Sequence, residues 1–98
     1  MENVINKYET IFVIDTAAGE EAIASTVAKF KDLIAANGTV ENVDEWGKRR
    51  LAYEIDHKKE GYYTLIEFSS QAEFIAELER IYGITDGIIR SIVIRKDQ

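Results

Sequence analysis

The hydrophobic pattern begins with a strand and a long helix. A segment rich in aromatic and β-branched residues predicts a strand over Tyr8–Ile14. Asp15 and Thr16 then offer a cap, and apolar residues spaced by four, three and four predict a helix over residues 17–36. We expect Asn37–Gly38 to end this helix in the left-handed conformation. The apolar face of the helix consists of Ile23, Val27, Phe30 and Ile34.

Extended structure is predicted next, with one interruption. Residues 39–46 form a second strand, although Val40 and Val43 do not alternate strictly. Gly47 predicts a bulge or sharp bend, after which residues 48–55 continue extended. Residues 56–61 are expected to be a polar turn, and Tyr62–Phe68 is the third strand.

A second helix and a last strand complete the pattern. Ser70-Gln71-Ala72-Glu73 has the form of a capping box at a helix start. Gly83 is expected to close the helix, and a final strand runs from Asp86 or Gly87 to Arg95. The helix presents an apolar face formed by Phe74, Leu78, Ile81 and Tyr82.

The order βαββαβ defines the fold class. It predicts an α+β, ferredoxin-like split βαβ fold: a four-stranded antiparallel sheet with two helices on one face. We expect residues 1–98 to form a single domain, with residues 1–6 as a flexible leader and residues 96–98 as a short tail.

The sheet face away from the helices is predicted to be largely apolar. The charged side chains of Glu9, Glu67 and Arg90 should point away from the helices. Because side chains alternate along a strand, the apolar residues two and four positions from each charge lie on the same side. A face open only to water should be polar, so this one predicts a protein partner or self-association. The predicted partner-binding residues are Ile11, Val13, Tyr63, Leu65, Ile92 and Ile94.

Composition narrows the class of protein. The chain has no cysteine, no apolar run of membrane-spanning length and no signal-peptide pattern at its start, so we expect a cytoplasmic protein. The net charge of −6 argues against a nucleic-acid partner, but residues 47–59 carry five bases and two acids. A local basic patch on an acidic body is therefore compatible with the composition.

The residues that could carry chemistry do not indicate an enzyme. The lone histidine, His57, has no nucleophile or second ligand nearby, and the carboxylates fit helix starts or exposed faces. Acyl-phosphate hydrolases with this fold bind phosphate in the loop after the first strand, but here residues 15–20 are acidic. We therefore expect no catalytic residues, metal or cofactor.

Two features suggest RNA binding, with different strength. Residues 60–68 resemble the central-strand signature of RNA-recognition motifs, but no basic residue precedes Gly61 and Leu65 stands where an aromatic residue should, so we interpret the match as coincidence. The stronger feature is the basic segment, Lys48-Arg49-Arg50, which strand alternation divides between the two faces. Arginine binds phosphate by forked hydrogen bonds, although cations on an edge strand also prevent aggregation.

The basic segment is also part of a family resemblance. The chain resembles the sixth protein of the bacterial small ribosomal subunit over about residues 7–96. The likeness rests on Lys7-Tyr8-Glu9, on Trp46-Gly47-Lys48-Arg49-Arg50-Leu51-Ala52-Tyr53-Glu54-Ile55, on Gly61-Tyr62-Tyr63, and on a last strand at residues 86–94.

The resemblance implies a role in ribosome assembly. Members of this family bind the central domain of small-subunit (16S) ribosomal RNA as a heterodimer with the eighteenth protein of that subunit. Carried over to this sequence, the implied RNA or partner contacts are Lys7, Arg49, Arg50 and Arg90, while Tyr8 and Tyr53 support the sheet. The basic segment adds Lys48 as a further candidate RNA contact. The acidic or neutral leader and the short C-terminal end depart from the family pattern. These departures bear on the expected binding affinity and partner contact area, and not on the expected fold.

Two alternatives belong to other functional classes. A self-associating or small-molecule-sensing ferredoxin-like domain would bind through the same open face without RNA. An acyl-phosphate hydrolase would turn over a simple acyl phosphate.

Overall fold

The structure, a computed structural model, confirms the predicted ferredoxin-like fold. It describes residues 5–55 and 58–96, and for residues 51–55 and 58–59 it describes the backbone alone. The strands form one antiparallel sheet in the order β2-β3-β1-β4. In chain order the elements are β1 (Ile5–Asp15), a 3₁₀ turn (Thr16–Ala18), α1 (Glu20–Asn37), β2 (Gly38–Ile55), β3 (Lys58–Gln71), α2 (Ala72–Ile84) and β4 (Ile88–Arg95).

The core lies between the two helices and one face of the sheet. The predicted apolar face of α1 is buried, as are Phe74, Leu78 and Tyr82 of α2, while Ile81 packs against the core from its margin. Tyr8 belongs to this core and stacks on Phe68 with ring centroids 5.6 Å apart. The sheet contributes Tyr8, Phe12, Ile14, Ile66 and Phe68.

The start of α1 differs from the prediction. The carboxylate of Asp15 does cap a helical turn, accepting the amide of Ala17 at 2.9 Å, but that turn is the 3₁₀ segment. Gly19 follows with φ 91°, a backbone conformation that side chains disfavour, and α1 begins only at Glu20. The first expected helical turn is therefore a separate element.

The end of α1 also corrects the sequence analysis. Gly38 has φ −174°, so it is extended and not left-handed, and it is the first residue of β2. The glycine is required by space: a Cβ atom here would lie 2.2 Å from the carbonyl oxygen of Ser69 on β3. The helix thus passes directly into the strand, and the close backbone of β3 requires glycine at the junction.

Two bulges in the first half of β2, up to Gly47, explain its irregular pattern. Val40 pairs with Phe68 and Val43 with Ile66, so both valines face the core although they are three residues apart. The extra residue between them is Glu41, and a second register shift follows Glu45. The predicted irregularity at Gly47 is thereby confirmed, with φ 82° at the glycine.

The predicted capping box does not form. Ser70 is still a buried residue of β3, and its hydroxyl donates to the carbonyl of Gln71 at 3.1 Å. Gln71 is the residue before α2, and its side chain makes no capping hydrogen bond. The helix also continues one residue past Gly83 and ends at Ile84.

The strands β1 and β3 are longer than the hydrophobic pattern predicted. β1 takes in Ile5 and Asn6, which were assigned to the leader, and pairs them with Gln71 and Ser70. β3 starts at Lys58 and not after Gly61, because the hairpin with β2 continues pairing into the predicted turn. The predictions for His57 and for residues 1–4 lie outside the described residues.

Candidate binding face

The strand register places the six predicted apolar residues on the face opposite the helices. In an antiparallel sheet, directly paired residues lie on the same side. Ile11 pairs with both Leu65 and Ile92, Val13 pairs with Tyr63, and Ile94 pairs with Glu9. We call this side the open face.

The six residues differ in how much surface they offer. Ile92 and Ile94 are 43% and 46% exposed, which is high for large apolar side chains. Ile11, Tyr63 and Leu65 are half-buried. Val13 is only 3% exposed, so it forms the floor of the face and offers little area for direct contact.

Trp46 is a component of the open face that the sequence analysis missed. As the extra residue before Gly47, it lies over the sheet, and its indole ring stacks on Tyr63 with centroids 6.2 Å apart and planes 18° apart. Its Nε1–H donates to Asp44 at 3.0 Å, and the side chain remains 36% exposed. The bulge signal at Gly47 was present in the sequence, but it did not show to which face the bulge would turn the tryptophan.

A shallow groove runs beside this aromatic pair. It has a volume of about 220 Å³ and is mainly apolar. We call it the aromatic groove; its lining residues are Ile11, Val13, Trp46, Tyr63, Arg90, Ser91 and Ile92.

Two of the five predicted RNA-binding cations lie at one end of the open face. Arg49 pairs with Gly61 on β3, and Gly61 pairs in turn with Asp15 at the end of β1. Arg90 pairs with Val13, two residues from that end. Both arginines are exposed, so positive charge gathers on the open face beside the aromatic groove.

The other three predicted cations lie elsewhere. Lys48 and Arg50 pair with Tyr62 and Glu60, which places them on the helix side of β2. Lys48 there borders a depression that also contains Glu20 and Glu45. Lys7 is on the open face but six residues before Val13, roughly 20 Å along the strand.

Carboxylates on the open face are paired toward the opposite end of the sheet. Lys96 donates to Glu67 at 2.7 Å, and this hydrogen bond raises the pKa of the lysine above its ordinary value. The hydroxyl of Ser69 donates to Glu41, also at 2.7 Å. The face therefore has a cationic end and a charge-paired end, with apolar residues between them.

The described part of the chain contains no group of three or more metal-ligating side chains. None of its helices is long and apolar enough to cross a membrane.

These features define a class of protein, a ferredoxin-like domain with an apolar open face that is cationic at one end. Comparison with known proteins specifies it further. The family model for ribosomal protein S6 matches residues 7–95. The chain therefore belongs to the ribosomal protein S6 family.

Individual relatives agree with this assignment. Small ribosomal subunit protein bS6 of Clostridium perfringens is 55% identical, covering 96% of this chain and all of that protein. The bS6 protein of Clostridium beijerinckii is 50% identical, over 94% of this chain and 98% of its own length. The crystal structure of 30S ribosomal protein S6 from Thermotoga maritima superposes with a TM-score of 0.90 at 34% identity, covering 95% of this chain and 89% of that one.

Family membership determines the general role. Members are structural proteins of the small ribosomal subunit and not enzymes, and they reside in the cytoplasm with the ribosome.

Proposed function

We propose that this chain binds small-subunit (16S) ribosomal RNA together with the eighteenth protein of that subunit, during assembly of the central domain. The observation that supports this most directly is the division of the open face. Two exposed arginines lie at one end, and the exposed isoleucines Ile92 and Ile94 lie in its apolar part. One surface thus combines groups suited to phosphate with groups suited to a protein.

The apolar part suits a protein partner. Exposed contiguous apolar surface is costly in water and marks interaction sites. Alanine scanning of interfaces generally finds that a few well-packed residues carry most of the binding energy. We assign partner contact to Ile11, Val13, Tyr63, Leu65, Ile92 and Ile94, with Val13 acting from beneath its neighbours.

The cationic end suits the RNA backbone. Guanidinium groups form paired hydrogen bonds to phosphate and release counterions when they bind. The proposed RNA contacts are Lys7, Lys48, Arg49, Arg50 and Arg90. Among them Arg49 and Arg90 share a face and an end, and we therefore expect these two to contribute most.

A pair of single substitutions tests this assignment. Arg49→Ala should weaken binding to a central-domain RNA fragment and reduce the salt dependence of log K by about one phosphate contact. Arg50→Ala is the comparison: it removes the same charge one residue away on the helix side of β2, and it should weaken binding less than Arg49→Ala does. Filter-binding titrations over a range of salt concentrations, with and without the eighteenth protein, would measure both.

Equal losses in the two variants would show that net charge matters and not position. An unchanged salt slope in Arg49→Ala would remove that residue from the RNA interface. A stable homodimer in analytical ultracentrifugation, with no RNA binding under either condition, would favour the self-associating alternative.

A further inference from the structure

The aromatic groove presents ring surface beside positive charge. Trp46 and Tyr63 are nearly parallel and partly exposed, and the indole N–H is already bonded to Asp44. The tryptophan is therefore held in place and offers a ring face and not a free donor. Arg49 and Arg90 lie at the same end of the sheet.

Two features of an RNA-binding strand that β3 lacks are supplied by its neighbour β2. The sequence has no basic residue before Gly61, but Arg49 lies directly opposite Gly61 on β2. It has no aromatic residue at Leu65, but the bulge places Trp46 against Tyr63. The arginine and the tryptophan both come from β2, so the sequence of β3 alone does not show them.

We propose that the aromatic groove stacks an unpaired nucleobase of RNA, with the adjoining phosphates at Arg49 and Arg90. The proposal rests on the proposed function and specifies the kind of RNA bound, single-stranded and not duplex. Every base has a π face, so stacking on tryptophan and tyrosine tolerates different sequences. An apolar side chain of a protein could fill the groove as well, but it would bring no anion to the two arginines.

The acidic residue near the groove indicates the direction of the RNA backbone. Asp44 pairs with Leu65, whereas Arg49 pairs with Gly61, so the two charges lie on opposite sides of Trp46 along β2. Phosphates are repelled from the Asp44 side and attracted to the Arg49 side. The backbone therefore passes the end of the sheet. The groove residues of the apolar surface then border both the base and the partner protein, whereas Leu65 and Ile94 contact the protein alone.

Trp46 is the sole tryptophan of the chain, so its fluorescence reports directly on the groove. Titration with a single-stranded oligoadenylate of about eight nucleotides, a length within the site size of single-strand-binding domains, should quench its emission. The same strand in a duplex with oligouridylate should bind more weakly and quench less, because paired bases are not free to stack.

Variants of Trp46 distinguish a stacked nucleobase from an apolar side chain that fills the groove. Trp46→Leu should lower the affinity for the labelled single strand about tenfold, measured by fluorescence anisotropy, whereas Trp46→Phe should lose less, because it keeps a ring. Ile84→Ala, which changes an exposed apolar residue at the end of α2, is the matched control and should bind as the parent does. Circular dichroism checks that each variant is folded.

The outcomes are distinct. Unchanged RNA affinity in Trp46→Leu overturns the stacking site even if ribosomal RNA binding stands. Loss of affinity for the eighteenth protein alone in that variant assigns the groove to a protein side chain and also overturns it. If the parent chain binds no RNA with or without its partner, the proposed function fails together with this inference.

Discussion

Gly38 shows how one missing side chain determines a connection. α1 ends at Asn37 and β2 begins at the next residue, with no intervening loop. The strand can start there because glycine has no Cβ atom, which would lie 2.2 Å from the carbonyl oxygen of Ser69. In sequence, the same Asn-Gly pair is typical of a left-handed helix end, and nothing local distinguishes the two cases.

Replacing Gly38 tests this steric requirement. Gly38→Ala should lower the free energy of unfolding by about 2 kcal/mol, because the backbone of β3 must shift to admit the methyl group. Gly83→Ala is the control: Gly83 lies in α2 with open space around it, and alanine there should be stabilising by up to about 1 kcal/mol. Urea denaturation would measure both, and equal effects would contradict the steric explanation.

At the scale of elements, a buried hydroxyl pair connects α2 to two strands. The hydroxyls of Tyr82 and Thr10 lie 2.9 Å apart, and Thr10 also donates to the carbonyl of Ile92 at 3.0 Å. The ring of Tyr82 stacks on Phe30 of α1 with centroids 4.4 Å apart. Burial raises the pKa of Tyr82 above its ordinary value, and the bond to Thr10 offsets this only in part.

This connection predicts a pH dependence of stability. The unfolded tyrosine releases its proton near pH 10, whereas the folded one keeps it to higher pH. The stability is therefore intact below pH 10 and falls as the pH rises above it, by at most about 1.4 kcal/mol per pH unit.

Tyr82→Phe should remove this decline. At pH 7 the variant should be about 1 kcal/mol less stable, since it loses the bond to Thr10, but its stability should change less between pH 9 and 11, a range of about one unit on either side of the ordinary tyrosine pKa. Denaturant titrations at several pH values would measure both effects. A decline as steep as that of the parent chain would assign the alkaline loss to other groups.

At the scale of the whole molecule, the placement of charge matters more than its sum. The net charge is −6, and the first turns of the helices carry Glu20, Glu21 and Glu73, while one end of the open face carries Arg49 and Arg90. The acidic helix starts therefore repel phosphate, whereas the cationic end of the sheet attracts it. The net charge alone argues against an RNA partner, whereas the placement of the charges permits one.

The apolar part of the open face gives a prediction at this scale. Ile92→Asp should weaken binding of the eighteenth protein at least about tenfold, because a carboxylate would be desolvated in the interface. Ile84→Asp is the matched control, since Ile84 is 68% exposed at the end of α2, away from that face. Isothermal titration calorimetry with the partner would measure both, and equal affinities would place the partner elsewhere.

The residues of the candidate site were predictable only in strands whose side chains alternate regularly between the two faces of the sheet. In β1, β3 and β4 the charged residues Glu9, Glu67 and Arg90 identified the open face correctly, because successive side chains point to opposite sides. In β2 the two bulges shift the phase, so the faces of Trp46 and of the basic segment did not follow from the pattern. Family resemblance named the same segment but not which of its residues share a face.

The sequence by itself determined the order of the elements, the core faces of both helices and the phase of three strands. These follow from periodicity, a local property set by the geometry of each element. Only the tertiary structure decided that Gly38 enters a strand, that Ser70 caps no helix, and that Arg49, Trp46 and Arg90 share one face. Each of those outcomes depends on a neighbouring strand, and a single extra residue in a bulge is enough to reverse the face that a side chain occupies.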